Sequence, residues 1–80
     1  MITIAACYSH FGAIRYKKCC DDTGIRSRLM PVPRSLSSSC GTCVRCEGDT
    51  WLMPEGPTAE EIEQIVEVTD RGYTVLWKQP

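Results

Sequence analysis

The sequence predicts a small α+β domain: a short antiparallel sheet, one C-terminal helix packed on it, and a long cysteine-rich loop closed by a metal ion. Three observations lead there. The chain has 80 residues of which 42% are apolar, yet six of those are cysteines, and Leu, Ile, Val and Phe together number 16. A core of that size supplies roughly 3–5 kcal/mol, so a staple is expected. Strand-like and helix-like patterning is confined to the two ends, and the six cysteines and the single histidine, His10, lie in or beside the unpatterned middle. The expectation is one domain over residues 1–80, with a strand at 1–8, a metal-binding loop at 9–49 and a strand–helix–strand unit at 50–80.

Ile2, Ile4 and Ala6 alternate with a period of two and predict the first strand. No sustained period appears between Cys7 and Thr50, and Pro31-Val-Pro-Arg-Ser-Leu-Ser-Ser-Ser39 reads as linker by composition. A structureless run of this length needs something to organise it. Trp51-Leu-Met53, between Asp49 and Pro54, predicts a third short strand. Thr58-Ala-Glu-Glu61 has the form of a capping box, and Ala59, Ile62, Ile65, Val66 and Thr69 then follow i, i+3, i+4 spacing. That pattern predicts a helix over 59–71, with Gly72 as its left-handed stop and Glu60, Glu61, Glu63, Glu67 and Asp70 on its outer face. Tyr73-Thr-Val-Leu-Trp-Lys78 predicts a closing strand with Tyr73, Val75 and Trp77 on one side.

The first residues show neither a basic n-region nor a long apolar run, so no secretory leader is expected and the chain is read as cytoplasmic. In a reducing compartment six cysteines read first as metal ligands. Cys40-Gly-Thr-Cys43-Val-Arg-Cys46 brings two thiolates together across a turn, and Cys7-x2-His10 repeats the same gap. The favoured arrangement is one zinc ion held by Cys7, His10, Cys40 and Cys43 across the loop, which leaves Cys19, Cys20 and Cys46 as small core residues, with these three also standing as further candidate ligands. A local site of Cys7, His10, Cys19 and Cys20 is the alternative. Either would contribute roughly 10–16 kcal/mol. Cys40, Cys43 and Cys46 also have the spacing of three ligands in a bacterial ferredoxin, which makes an iron–sulfur cluster and an electron-carrier function the rival reading.

Residues 10–20 carry a local resemblance. His10, eight residues, then Cys19-Cys20, preceded by Arg15-Tyr-Lys-Lys18, resembles the SEC-C zinc motif. Carried over by position, His10 takes the second ligand slot and Cys19 and Cys20 the third and fourth, while the first slot falls on Tyr8, one residue from Cys7. The resemblance implies zinc and a docking module that engages proteins or ribosomal surfaces through its basic face.

No enzyme is expected. Cys40-Gly-Thr-Cys43 resembles a redox dithiol, but such a pair works at a helix N-terminus after a strand, and serines precede it here. A chain this short also has little room for a substrate pocket. Charge is divided, with a net +5 over residues 1–46 and −6 over 47–80. Arg15, Tyr16, Lys17, Lys18, Arg26, Arg28 and Arg34 form the candidate binding set. The function expected is a small zinc-binding docking, inhibitor or adaptor module acting on a protein partner, of the size phages and mobile elements use against host machinery. A nucleic-acid-associated regulator, using the basic half, is the alternative. No apolar run approaches the ~20 residues of a membrane span, and neither a membrane nor a small-molecule substrate is expected as a partner.

Overall fold

The computed structural model describes residues 1–36 and 38–80; Ser37, within the expected linker, lies outside the described residues. Five strands and two helices follow one another as β1 (Ile2–Cys7), α1 (His10–Asp22), β2 (Arg26–Pro31), β3 (Thr42–Glu47), α2 (Gly56–Glu60), β4 (Ile62–Thr69) and β5 (Gly72–Lys78). The sheet has the order β2-β3-β1-β4-β5, and its paired neighbours are all antiparallel. The α+β class therefore stands, but the principal helix is N-terminal.

β1 occupies the centre because it is apolar on both faces. Ala5 and Cys7 face α1, packed with Ala13, Tyr16, Cys20, Val44, Cys46, Ile62 and Ile65. Ile4 faces the opposite side with Cys43 and Val66. α1 covers the first face, and Val32 and Leu36 of the β2–β3 connection cover part of the second.

The expected helix at 59–71 is not formed, and Ile62–Thr69 is strand β4 instead. Five of its eight residues, Ile62, Ile65, Val66, Val68 and Thr69, are β-branched and favour a pleated surface. Irregularities on both sides of β4 explain the false helical period. The register against β1 shifts between Ala6 and Cys7, which places Ile62 and Ile65 on one face although they are three apart. Only Gly56–Glu60 is helical, and Glu61 N–H donates to the Thr58 carbonyl at 3.1 Å rather than to its hydroxyl. Gly72 does adopt positive φ, at 116°, but at the start of β5 in the β4–β5 hairpin. A second shift, between Ile65 and Val66, turns Trp77 toward the α1 face while Val75 pairs with Val66, so these two do not share a side as expected. Trp51–Met53 forms no strand; Trp51 and Leu52 pack against the α1-side core as irregular chain.

The expected loop at 9–49 holds α1, β2 and β3. Ser9 caps α1 by accepting from Gly12 N–H at 3.0 Å. The helix escapes a hydrophobic-periodicity search because its buried stripe is Gly12, Ala13, Tyr16 and Cys20, whereas Phe11 and Ile14 point outward at 73% and 43% exposure. β2 and β3 pair from Arg26↔Glu47 to Pro31↔Thr42, and Val32 N–H closes the connection on the Gly41 carbonyl at 3.0 Å. Gly41 makes that closure with φ at 75°. The middle of the chain is thus organised by a helix, a strand pair and two apolar anchors.

Candidate functional site

The connection between β2 and β3 delivers Cys40 to one end of the sheet. Its thiol donates to the Cys7 carbonyl at 3.2 Å, and the Ser38 hydroxyl donates to the same oxygen at 2.8 Å. Ser39 N–H donates to the Glu63 carboxylate at 2.7 Å, tying the connection to β4. His10 opens α1 at the same end, its Nδ1 lying 3.4 Å from the Thr42 hydroxyl. Cys7 is fully buried behind the Cys40 segment, and its thiol is pushed up to about 12 by burial and by the neighbouring Cys40, Cys43, Glu63 and Glu61. Cys40 itself is only half-buried.

The six thiols are not equivalent. Cys7, Cys20, Cys43 and Cys46 are buried and behave as small apolar residues, while Cys19 and Cys40 reach partway to solvent. Cys43 lies on the sheet face away from α1, its thiol donating to the Pro31 carbonyl at 3.7 Å and shifted up by burial first and then by Cys40. Cys46 lies on the α1 face. Cys43 and Cys46 therefore lie three apart on a strand whose side chains alternate, Cys40 precedes that strand, and the three sulfurs do not converge as a cluster cradle would require.

Of the expected zinc set, the structure brings the Cys40 thiol to the backbone carbonyl of Cys7, whose own thiol donates to the Ala5 carbonyl at 3.5 Å, places Cys43 across the sheet, and turns His10 toward Thr42. Among the described residues no group of three or more His, Cys, Asp or Glu side chains is placed to hold a metal ion. The resemblance at residues 10–20 fails for a geometric reason. These residues lie on one helix, and the nine steps from His10 to Cys19 span roughly 13 Å, too far for one ion.

The expected binding residues divide between two sides. Arg15, Lys17 and Lys18 ride on α1, where Lys17 pairs with Asp21 at 2.7 Å, Lys18 with Asp22 at 3.8 Å and Arg15 with Glu61 at 3.6 Å. Lys17 and the Ser27 hydroxyl hold the Asp21 carboxyl below its usual range. Tyr16 is not at the surface; it is buried, and its hydroxyl donates to the Leu52 carbonyl at 2.7 Å. Arg26 and Arg28 lie on edge strand β2, where they join Arg45 and Glu47 around a shallow depression of about 290 Å³. Arg45 pairs with Glu47 and holds its carboxyl below the usual range. Arg34 sits in the β2–β3 connection. The acids expected on one helical face are likewise dispersed, with Glu61 bound to Arg15 and Glu63 to Ser39.

Sequence reasoning missed Ser38, Ser39 and Glu63, the groups that fix Cys40. The available signal was the serine run before Cys40-Gly41, which composition alone assigned to linker.

A family model described as "Putative Se/S carrier protein-like" matches residues 3–53. The matched span runs from β1 through β3 to Met53 and contains all six cysteines. No curated protein and no solved structure matches the chain. Among the described residues no helix is long and apolar enough to cross a membrane.

Proposed function

The chain belongs to this Se/S carrier-like family, and from that premise we propose that Cys40 carries sulfane sulfur or selenium as a persulfide or selenopersulfide. The single observation that supports the choice is the placement of Cys40: a half-exposed thiol on a connection held by Ser38, Ser39 and Glu63, seated on the Cys7 backbone carbonyl. Four of the remaining five thiols are buried, and Cys19 rides on α1 away from this end.

The transfer needs no external electrons. The Cys40 thiolate attacks the outer sulfur or selenium of a donor persulfide, R–S–SH or R–S–SeH. The donor's S–S or S–Se bond breaks, its electron pair leaves on R–S⁻, and that thiolate takes up a proton. Delivery repeats the step, with an acceptor thiolate attacking the outer atom on Cys40 and Cys40 leaving. The proton stays on the transferred atom in each attack.

The test is incubation of the reduced protein with inorganic polysulfide, followed by intact mass and peptide mapping. One added sulfur per chain, located on Cys40 and lost in Cys40→Ser but kept in Cys19→Ser, is the expected result. Sulfur located on Cys19 would overturn the assignment. So would tight stoichiometric zinc that masks Cys40 in the protein as purified, which is the outcome the Cys7, His10, Cys40, Cys43 reading requires.

A second reading, docking to a protein, is supported by the outer face of α1, where Phe11, Ile14, Arg15 and Lys18 lie at i, i+3, i+4 and i+7. An apolar anchor rimmed by cations fits a protein surface with acidic edges. The division of the basic residues between α1 and β2 favours this over a nucleic-acid surface. A charge-reversing Arg15→Glu, Lys18→Glu pair that leaves every pull-down partner unchanged would remove the support.

A further inference from the structure

Beneath α1, away from Cys40, two thiols meet. Cys20 in the last turns of the helix and Cys46 on β3 place their sulfurs 3.7 Å apart, 26 residues apart in sequence. Both are buried, at 0% and 3% exposure, and no metal-ligand set adjoins them among the described residues. We propose that Cys20 and Cys46 form a reversible disulfide in response to hydrogen peroxide, joining α1 to β3.

The geometry favours the bond. Closing it to about 2.05 Å requires the sulfurs to approach by less than 2 Å. Cys20 lies near the end of α1, where the chain leaves the helix at Thr23, so the helix terminus can supply that movement. Tyr16, one turn back, and Thr3, opposite Cys46 across the β1–β3 pairing, seal the pair from bulk solvent. A bulky disulfide oxidant is thereby excluded, while a molecule the size of peroxide enters on local opening. The Cys46 thiolate, 3.7 Å from the Cys20 sulfur, attacks one peroxide oxygen. The O–O bond breaks, hydroxide leaves and is protonated to water, and Cys46 becomes a sulfenic acid. Cys20 then attacks that sulfur; the S–O bond breaks, and the hydroxyl takes the Cys20 proton as a second water. Two thiols have lost two electrons to one peroxide.

The experiment treats the reduced full chain with hydrogen peroxide, alkylates residual thiols under denaturing conditions and maps the peptides. A Cys20–Cys46 linked peptide that a dithiol reductant dissolves is expected, and it should form equally in Cys40→Ser, which separates this result from the fate of the carrier reading. In Cys46→Ala the link disappears and Cys20 is alkylated. The oxidised wild-type protein should also unfold with an equilibrium constant lower by on the order of a hundredfold, the effect of closing a loop of this length. Full alkylation of Cys20 and Cys46 after peroxide, or linkage of either to Cys7, Cys19, Cys40 or Cys43, overturns the proposal. The wild-type mapping decides it even if Cys46→Ala fails to fold.

Discussion

Replacing Gly12 by alanine sets two effects of opposite sign against each other. Gly12 is buried in the first turn of α1, where intrinsic helix propensity favours alanine by about 0.5–1 kcal/mol. A Cβ built there would lie 2.7 Å from the Glu61 Cβ and 3.2 Å from the Glu61 carbonyl oxygen. Neither neighbour is the far end of a flexible side chain, and Glu61 is held by the bond from Tyr8 N–H to that same carbonyl at 2.9 Å. Overpacking of this kind costs about 1–3 kcal/mol. The clash wins, and a net loss of about 1–2 kcal/mol is expected, or roughly 5–10 °C in the melting temperature of a domain this size. Thermal and urea unfolding of Gly12→Ala, of Glu61→Gly and of the double variant measure it. Removing the Glu61 Cβ should relieve the clash, so the cycle should show a coupling of at least about 1 kcal/mol. A Gly12→Ala protein as stable as the wild type, or one equally destabilised in the Glu61→Gly background, would refute the packing of α1 against the α2–β4 junction.

Tyr16→Phe should cost about 1 kcal/mol in denaturant unfolding, since it deletes the bond to the Leu52 carbonyl without opening a cavity. Ile65→Ala removes a fully buried side chain from β4 and should cost about 2–5 kcal/mol, whereas Phe11→Ser on the exposed side of α1 should leave stability nearly unchanged. Hydrogen exchange should find slow amides in β1 and in β4, each of which is paired on both edges. In alkali, Cys7 has an ordinary value of 9.0 when unfolded and about 12 when folded. The unfolded chain ionises first, so this contribution is complete below pH 9 and is lost as pH rises from about 9 to 12; Cys7→Ala should flatten that part of the stability–pH curve.

β1 and β5 were legible in the sequence where β4 was not, because their patterns are local. Ile2, Ile4 and Ala6 pointed to β1, and Tyr73–Lys78 to β5, because alternation is a property of neighbouring residues. β4 was illegible for the opposite reason: its register shifts against β1 and β5 are set by the partners, and they disguise a strand as a helix. α1 and β3 were hidden by chemistry. Treating Cys43 as a ligand, and keeping Cys20 and Cys46 as candidates beside their reading as small core residues, removed all three from the apolar pattern, when burial makes each a core residue. Restored to that role, they complete the stripe of Ala13, Tyr16 and Cys20 on α1 and the near-continuous burial of β3.

By itself the sequence determined the α+β class, the presence of six thiols within 80 residues, and the left-handed backbone at Gly72, though in a hairpin rather than at a helix end. Composition and short-range spacing suffice for these. Only the tertiary structure decided that four thiols are core while Cys19 and Cys40 reach partway to solvent, because exposure depends on what packs over a residue. Ser38 and Ser39 bind Cys7 and Glu63 across long stretches of chain, and it is those distant contacts that set Cys40 at the end of the sheet.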